Sequence, residues 1–376
     1  MAPGAGAARQ EGQAVRGRHA SQRDPHLQDP EGHPGLTPSA LAAALKARAR
    51  AEGADLAGIA AAVPAVDGPA YDDWVAAGMH GGMDYMARNA DSRRDIRAWM
   101  PDAKSVLMCG FSYGDPGAPS APAPGLGRLA RYAVRPDYHG LLRARMAALR
   151  DWLATLVPGL HAVPFCDMSP ILERSYARAA GLGWQGKNAM LIAPDLGSYF
   201  LIAGLAIDRE LPTDSPEADH CGTCRLCLDA CPTDAFPRER VLDASKCVAY
   251  FTIEHKGPIP EGFREGVGDW VYGCDVCQEV CPWNRFEAPA RALPRARIPT
   301  GLPLEDLAAA PDLRSRLKGL PVARAMRRKM TRNALLAMGN SGDASHRATL
   351  ERFAAGTDET LAEQARWSLA RLSGKE

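Results

Sequence analysis

"CGTCRLCLDACP", residues 221–232, places four cysteines within eleven positions of a 376-residue chain that has ten in all. Such a run forms disulfides, a zinc site or an iron–sulfur cluster, and the compartment is the first filter. Residues 1–36 are rich in Gly, Ala, Pro and charge and contain no apolar run of the kind an export signal needs. They read as a disordered extension outside the fold. The longest weakly polar stretch, "LGSYFLIAGLAI" at 196–207, falls well short of the roughly 18 to 20 apolar residues a membrane-spanning helix requires. A soluble, cytoplasmic chain with no membrane segment is therefore expected, and reduced thiols argue against disulfides there.

Cys221, Cys224, Cys227 and Cys231-Pro232 reproduce the C-x2-C-x2-C-x3-C-P spacing of bacterial ferredoxins, in which the fourth cysteine crosses to a second cluster. That spacing predicts a second half. It appears as "CDVCQEVCPWN", where Cys274, Cys277 and Cys281-Pro282 supply three positions, and Cys247 is the nearby cysteine that could supply the fourth. The crossed pattern puts Cys221, Cys224, Cys227 and Cys281 on one [4Fe–4S] cluster and Cys231, Cys247, Cys274 and Cys277 on the other. Paired structural zinc sites are the alternative, which the doubled Cys-Pro pattern disfavours. Cys109 and Cys166 lie in strand-like runs and read as small buried apolar residues.

The composition, 46% apolar and 24% charged, suits about two to three domains. The net charge of +1 conceals an asymmetry, because residues 285–333 carry twelve Lys or Arg against four Asp or Glu. Before the cysteines, residues 37–212 alternate helical and extended patterns. "TPSALAAALKARARAEG" predicts a Thr-capped helix, "YHGLLRARMAALRDWLATLV" a long helix, "LAGIAA" and "SVLMCGFSY" buried strands, and "AMLIAP" with "SYFLIAGLAID" a pair of strands. No glycine-rich dinucleotide fingerprint and no P-loop occurs, which leaves neither a nicotinamide cofactor nor ATP indicated. The cysteine-bearing region takes residues 213–290. Residues 291–376 become an Arg-rich helical tail resembling a short pair of HEAT-like hairpins. A basic helical tail reads either as a phosphate-backbone reader or as ordinary solvated surface.

The order "RPDYHG", "ERSYARAAGLGWQGKN", the two cysteine motifs and the helical tail resembles the epoxyqueuosine reductases from about residue 37 to the end. The resemblance implies a reductive-dehalogenase-like α/β domain binding cobalamin, an inserted ferredoxin-like domain with two [4Fe–4S] clusters, and a HEAT-like region that binds tRNA. It implies reduction of the epoxide of a modified wobble base to an alkene, with electrons from an external low-potential donor and a monomeric enzyme. Asp137, directly before Tyr138-His139, matches the family's proton donor; a positioned carboxylic acid suits that task, since the departing oxygen needs a proton with the two electrons. Asp137 also stands where a helix begins and could be only its N-cap. A cap favours the carboxylate, whereas a donor needs a raised pKa. The resemblance further suggests Arg88, Tyr138, His139, Asp167, Ser169, Arg174, Gly183, Trp184 and Lys187 for the cofactor site. Arg324, Arg327, Arg328, Lys329 and Arg332 are the densest cationic supply for RNA phosphate. A corrinoid reductive dehalogenase and a non-enzymatic iron–sulfur electron carrier are the rival readings.

Overall fold

The computed structural model describes residues 36–116, 123–286, 288–293, 298–324 and 327–374. Residues 1–35 of the proposed disordered extension lie outside the described residues, as do Arg295 and Arg297 of the basic stretch. Gly35–Glu376 form one compact unit. No helix among the described residues is long and apolar enough to cross a membrane.

Among the described residues, nine strands form three sheets: β1 Leu56–Ala61, β2 Ser105–Ser112, β3 Leu126–Leu129, β4 Ala162–Phe165, β5 Trp184–Gln185, β6 Leu191–Ile192, β7 Phe200–Ile207, β8 Trp270–Tyr272 and β9 Gly301–Pro303. The main sheet runs β1-β2-β7-β4, and every pair in it is antiparallel. β2 is buried along its whole length because both faces of the sheet are covered. Leu107, Cys109 and Phe111 face one core, while Val106 and Met108 face the other. The first core is closed by helix Pro38–Ala51, through Leu41, Leu45 and Ala49, and by helix Tyr138–Leu156, through Leu142, Met146, Leu149 and Leu153. This i, i+4 spacing is what makes one face of each helix apolar. Thr37 caps the first helix, accepting from the Ala40 amide at 3.2 Å. Helix Glu173–Ala179 closes the opposite face with Tyr176 and Ala177, and so closely that a Cβ at Gly58 would stand 2.0 Å from the Ala180 carbonyl oxygen.

The two strands expected in "AMLIAP" and "SYFLIAGLAID" form as β6 and β7, in different sheets. β6 pairs with β5 in a small hairpin, whereas β7 lies between β2 and β4. Gly197, with φ +68°, lies in the turn that takes the chain from the hairpin into the main sheet.

A second sheet has the order β8-β3-β9 and joins strands from the α/β region, the cysteine-bearing region and the tail. Leu129, Val271 and Leu302 on its strands share a core with Leu307, Leu335, Met338 and Leu350 from the tail helices. Three tail helices, Arg327–Ser341, Arg347–Ala354 and Glu359–Leu372, pack together; the middle one, which the sequence reading did not separate, completes the bundle. Val248, Phe251 and Trp270, beside the cysteines of the second motif, form a smaller core of their own with Leu336 of the tail.

Candidate active site

Asp137 starts helix Tyr138–Leu156 and does cap it, its Oδ1 accepting from the His139 amide at 3.1 Å. The same oxygen lies 2.6 Å from His139 Nδ1. The other ring nitrogen, Nε2, lies 2.7 Å from Asp167 Oδ2, which also accepts from the Tyr138 hydroxyl at 2.8 Å. One imidazole thus bridges two carboxylates. Arg324, from the turn Pro321–Arg324, closes the cluster by donating Nε to Asp137 Oδ2 at 3.0 Å, with Nη1 3.3 Å from His139 Nε2.

Local structure explains these positions. Asp137 is carried by the turn Arg131–Val134, whose first amide donates to Asp275 of the second cysteine motif at 2.8 Å. Its own amide donates to the Gly319 carbonyl at 2.8 Å. Asp167 follows β4 with φ +59°, a left-handed conformation that costs a non-glycine residue on the order of 1 kcal/mol. The contacts of Tyr138 and His139, and a 2.6 Å hydrogen bond from the Asp167 amide to Glu173, hold it there. Such strain clusters where function requires a particular direction.

The electrostatics follow from the contacts. Burial raises the Asp137 carboxyl, but hydrogen bonds from the His139 ring and backbone and from Arg324 outweigh it and hold the group below the usual carboxylate range. Burial lowers His139, and its bonds to Asp167 and Asp137 outweigh that, so the imidazole binds its proton more tightly than usual. These contacts favour a charged Asp137 and a proton on the ring, the reverse of the raised carboxyl expected of a ready donor. Glu173 remains partly exposed but is walled in by protein, and burial first, then the Asp167 charge, pushes it up to about 8. Met168 and Tyr85 present exposed apolar surface in the segments that carry Asp167 and Arg93. Arg174 is solvent-reachable at the same helix start and donates to the Ala189 carbonyl at 2.5 Å.

The cysteines separate into two groups. Cys221, Cys224, Cys227 and Cys281 line one pocket with Lys187, Trp283 and Arg285. Burial and then the Cys281, Cys221 and Cys224 thiols push Cys227 up to about 11. Cys274 is raised by burial and then by Cys247, Asp275 and Cys231; Cys247 is raised by burial and further by Cys231; Cys277 is raised by burial and then by Cys274 and Cys247. Among the described residues no three His, Cys, Asp or Glu converge tightly enough for a single metal ion. Thiols spaced around a pocket suit the corners of a cubane better than the tetrahedral shell of zinc. Short helices Leu226–Asp229 and Val276–Glu279, one per motif, pack together and bring the halves into register.

Several expected positions move. Trp184 stands beside the first cysteine group rather than in the Asp137 crevice: its indole donates to Cys221 Sγ at 3.4 Å and packs edge-on to Trp283 at 4.9 Å. Lys187 lines the same pocket, ion-paired to Glu239, and Gly183 is pressed against the Ile192 carbonyl of β6. Ser169 is half-buried in the turn after Asp167, and Arg88 is exposed beside Asn89. Of the cationic set, Arg327 and Arg328 are exposed, Arg328 being paired with Asp358. Lys329 turns inward onto the Ile253 and Glu254 carbonyls, at 2.7 and 3.0 Å. Arg332 is buried and bonded to backbone carbonyls, which withdraws it from phosphate contact. Glu173 and the Asp137–Arg324 pairing were missed. Glu173 stands in a quoted motif, but its depth in the crevice depends on β4, and no local signal connects positions 137 and 324.

Two family models match this arrangement, a "4Fe-4S double cluster binding domain" over residues 220–284 and "Epoxyqueuosine reductase QueG, DUF1730" over residues 93–168. The chain is similar in fold to an epoxyqueuosine reductase solved with a tRNA-Tyr epoxyqueuosine-modified stem loop, with TM-score 0.80, 26% identity and coverage of 88% of this chain and 89% of that one. It is equally similar to the Bacillus subtilis epoxyqueuosine reductase with its aspartate catalytic loop swung out of the active site, with TM-score 0.78, 26% identity and coverage of 88% and 90%. An epoxyqueuosine reductase of Gloeobacter violaceus is 39% identical across 80% of this chain and 97% of its own length. A match of that depth over nearly the whole relative, spanning both the aspartate crevice and the paired cysteine motifs, places this chain in the epoxyqueuosine reductase family.

Proposed function

We propose that this protein reduces epoxyqueuosine in tRNA to queuosine, with Asp137 delivering the proton to the departing epoxide oxygen. The observation that carries this reading is the cluster at Asp137, whose Oδ1 lies 2.6 Å from His139 Nδ1 and whose preceding turn is tied through the Arg131 amide to Asp275, between Cys274 and Cys277. Conversion of an epoxide to an alkene breaks two C–O bonds, consumes two electrons and two protons, and releases the oxygen as water. A chain that does this needs an electron path, a proton source and a grip on RNA.

Cys221, Cys224, Cys227 and Cys281 would hold one [4Fe–4S] cluster, and Cys231, Cys247, Cys274 and Cys277 the other. The pocket at the first group favours reception from an external low-potential donor there. The residues around Asp137 would suit cobalamin in composition: exposed apolar surface from Tyr85 and Met168, with a few polar anchors in Asp167, Glu173 and Arg174. When bound, the corrinoid supplies a low-potential metal centre that delivers the electron pair. Tyr138 and His139 orient Asp167 and Asp137, and the imidazole can refill Asp137 after each proton leaves. Arg324, Arg327 and Arg328, at the start of the HEAT-like tail, are placed to meet the phosphates flanking a splayed wobble base.

The test is anaerobic incubation of epoxyqueuosine-bearing tRNA with cluster-loaded, cobalamin-supplemented protein and a strong reductant. Loss of one oxygen from the modified nucleoside, by mass spectrometry, is the expected result. An unchanged nucleoside with intact clusters and bound corrinoid would overturn the reading.

A further inference from the structure

Asp137 is tied to the tail twice. Its amide donates to the Gly319 carbonyl, and its carboxylate receives both Nε and Nη2 of Arg324, at 3.0 and 2.9 Å. A two-nitrogen grip on one carboxylate is among the stronger polar contacts a side chain can make. It also favours the charged acid, the form that has no proton to give. Yet Arg324 is 46% exposed in its side chain and heads the segment that continues into Arg327 and Arg328. A guanidinium so placed can exchange a carboxylate for a phosphate without unfolding anything.

We propose that Arg324 is a positioning residue that RNA releases: without RNA it clamps Asp137 as the carboxylate, and transfer of its guanidinium to an RNA phosphate frees Asp137 to take up a proton. This rests on the tRNA-reductase reading and adds its regulation. The exchange is balanced, since Arg324 keeps its charge while changing anion and Asp137 gains one proton from bulk water through the His139 ring. Arg324 is not alone in favouring the charged acid: the His139 ring and amide do so as well, while Tyr272 and Cys166 also face the carboxylate. His139 is shared with Asp167, so Arg324 is the contact to Asp137 that an RNA phosphate can take away without disturbing the carboxylate pair. The consequence is a proton donor that arms only when the modified loop is seated, which spares the reduced site from protonation by an empty enzyme.

The experiment measures proton uptake when the complete cluster-loaded protein binds an anticodon stem loop, by titration calorimetry in buffers of different ionisation enthalpy near neutral pH. The wild type should take up protons on binding RNA, increasingly as the pH is lowered, and Arg324→Gln and Asp137→Asn should take up close to none. In turnover, Arg324→Gln should also move the basic limb of the kcat/KM profile up by about one pH unit, because the free enzyme's acid is no longer held charged. A residue that only contacted phosphate would weaken affinity and leave that limb in place. RNA binding by the wild type with no proton uptake, or uptake undiminished in Arg324→Gln, would overturn the clamp while leaving the reductase reading intact. Failure of the wild type to reduce modified tRNA would instead strike that reading.

Discussion

Arg332 reaches from the tail helix Arg327–Ser341 to the Gly257 carbonyl, donating at 2.6 Å from a side chain that is 1% exposed. It donates also to the carbonyls of His255 and Phe251, and Asn333 beside it donates to those of Thr252 and Val271. These bonds fasten the tail to the helix that follows Cys247. Arg332→Ala would strand buried acceptors, so a loss of about 3 kcal/mol in chemical denaturation is expected. Iron content should fall with it. A loss below about 1 kcal/mol would show that water satisfies the carbonyls instead.

What the sequence disclosed and what it hid divide by distance along the chain. The cysteine spacing, the Thr37 cap and the start of the helix at Asp137 are local, and a local rule reads each. Cys109 alternates with Val106 and Met108 across β2, so its burial was also legible from a period of two. Arg332 was different, because nothing within its own helix says that three carbonyls from residues 251–257 cover it. The same holds for Arg324, which reads as a surface cation until Asp137 is placed opposite it. Trp184 came to the cofactor site by resemblance alone, whereas it is buried and its position is fixed by Cys221 and Trp283.

The two cysteine groups make a stoichiometric claim. Anaerobic protein should carry about eight iron and about eight acid-labile sulfide per chain, from two cubanes. Cys247→Ser should perturb the spectroscopic signal of one cluster, and Cys221→Ser that of the other. Stoichiometric zinc with little sulfide, or both signals lost equally in each variant, would refute the division.

Asp137 both caps a helix and faces the crevice, and the two roles can be separated. Asp137→Ser retains an oxygen for the His139 amide, so stability should change by no more than about 1 kcal/mol. Loss of the acid should slow epoxide reduction by about a hundredfold or more. Near-normal turnover in the serine variant would reduce Asp137 to a cap.

Glu173 supplies a pH dependence. Its folded-state value of about 8 lies above the unfolded 4.5, so its neutral form stabilises the fold fully below 4.5, and that contribution is lost as the pH rises through about 8. Glu173→Gln stays neutral throughout. Its melting temperature should therefore decline less than that of the wild type across this window, with the gap widening toward the alkaline side. Parallel profiles would mean that the carboxylate is already solvated in the crevice.

The tail tests the RNA grip, and the structure decides which cations belong in the test. Lys329 and Arg332 are engaged with backbone carbonyls, so removing them would damage the fold and confuse a loss of binding with a loss of structure. Arg327 and Arg328 are exposed; Arg327 donates to the Ala310 carbonyl at 2.6 Å at the surface, and Arg328 holds Asp358, the cap of helix Glu359–Leu372, through a surface ion pair that contributes little to stability. Replacing both by Ala should weaken tRNA binding by about one to two orders of magnitude and reduce the salt dependence by about two phosphate contacts. Cluster spectra should not change, because neither side chain touches the cysteine groups. Unchanged affinity and salt slope would assign these arginines to solvated surface and move the RNA contact to another face, with Arg88 and the exposed loop around it the next positions to vary.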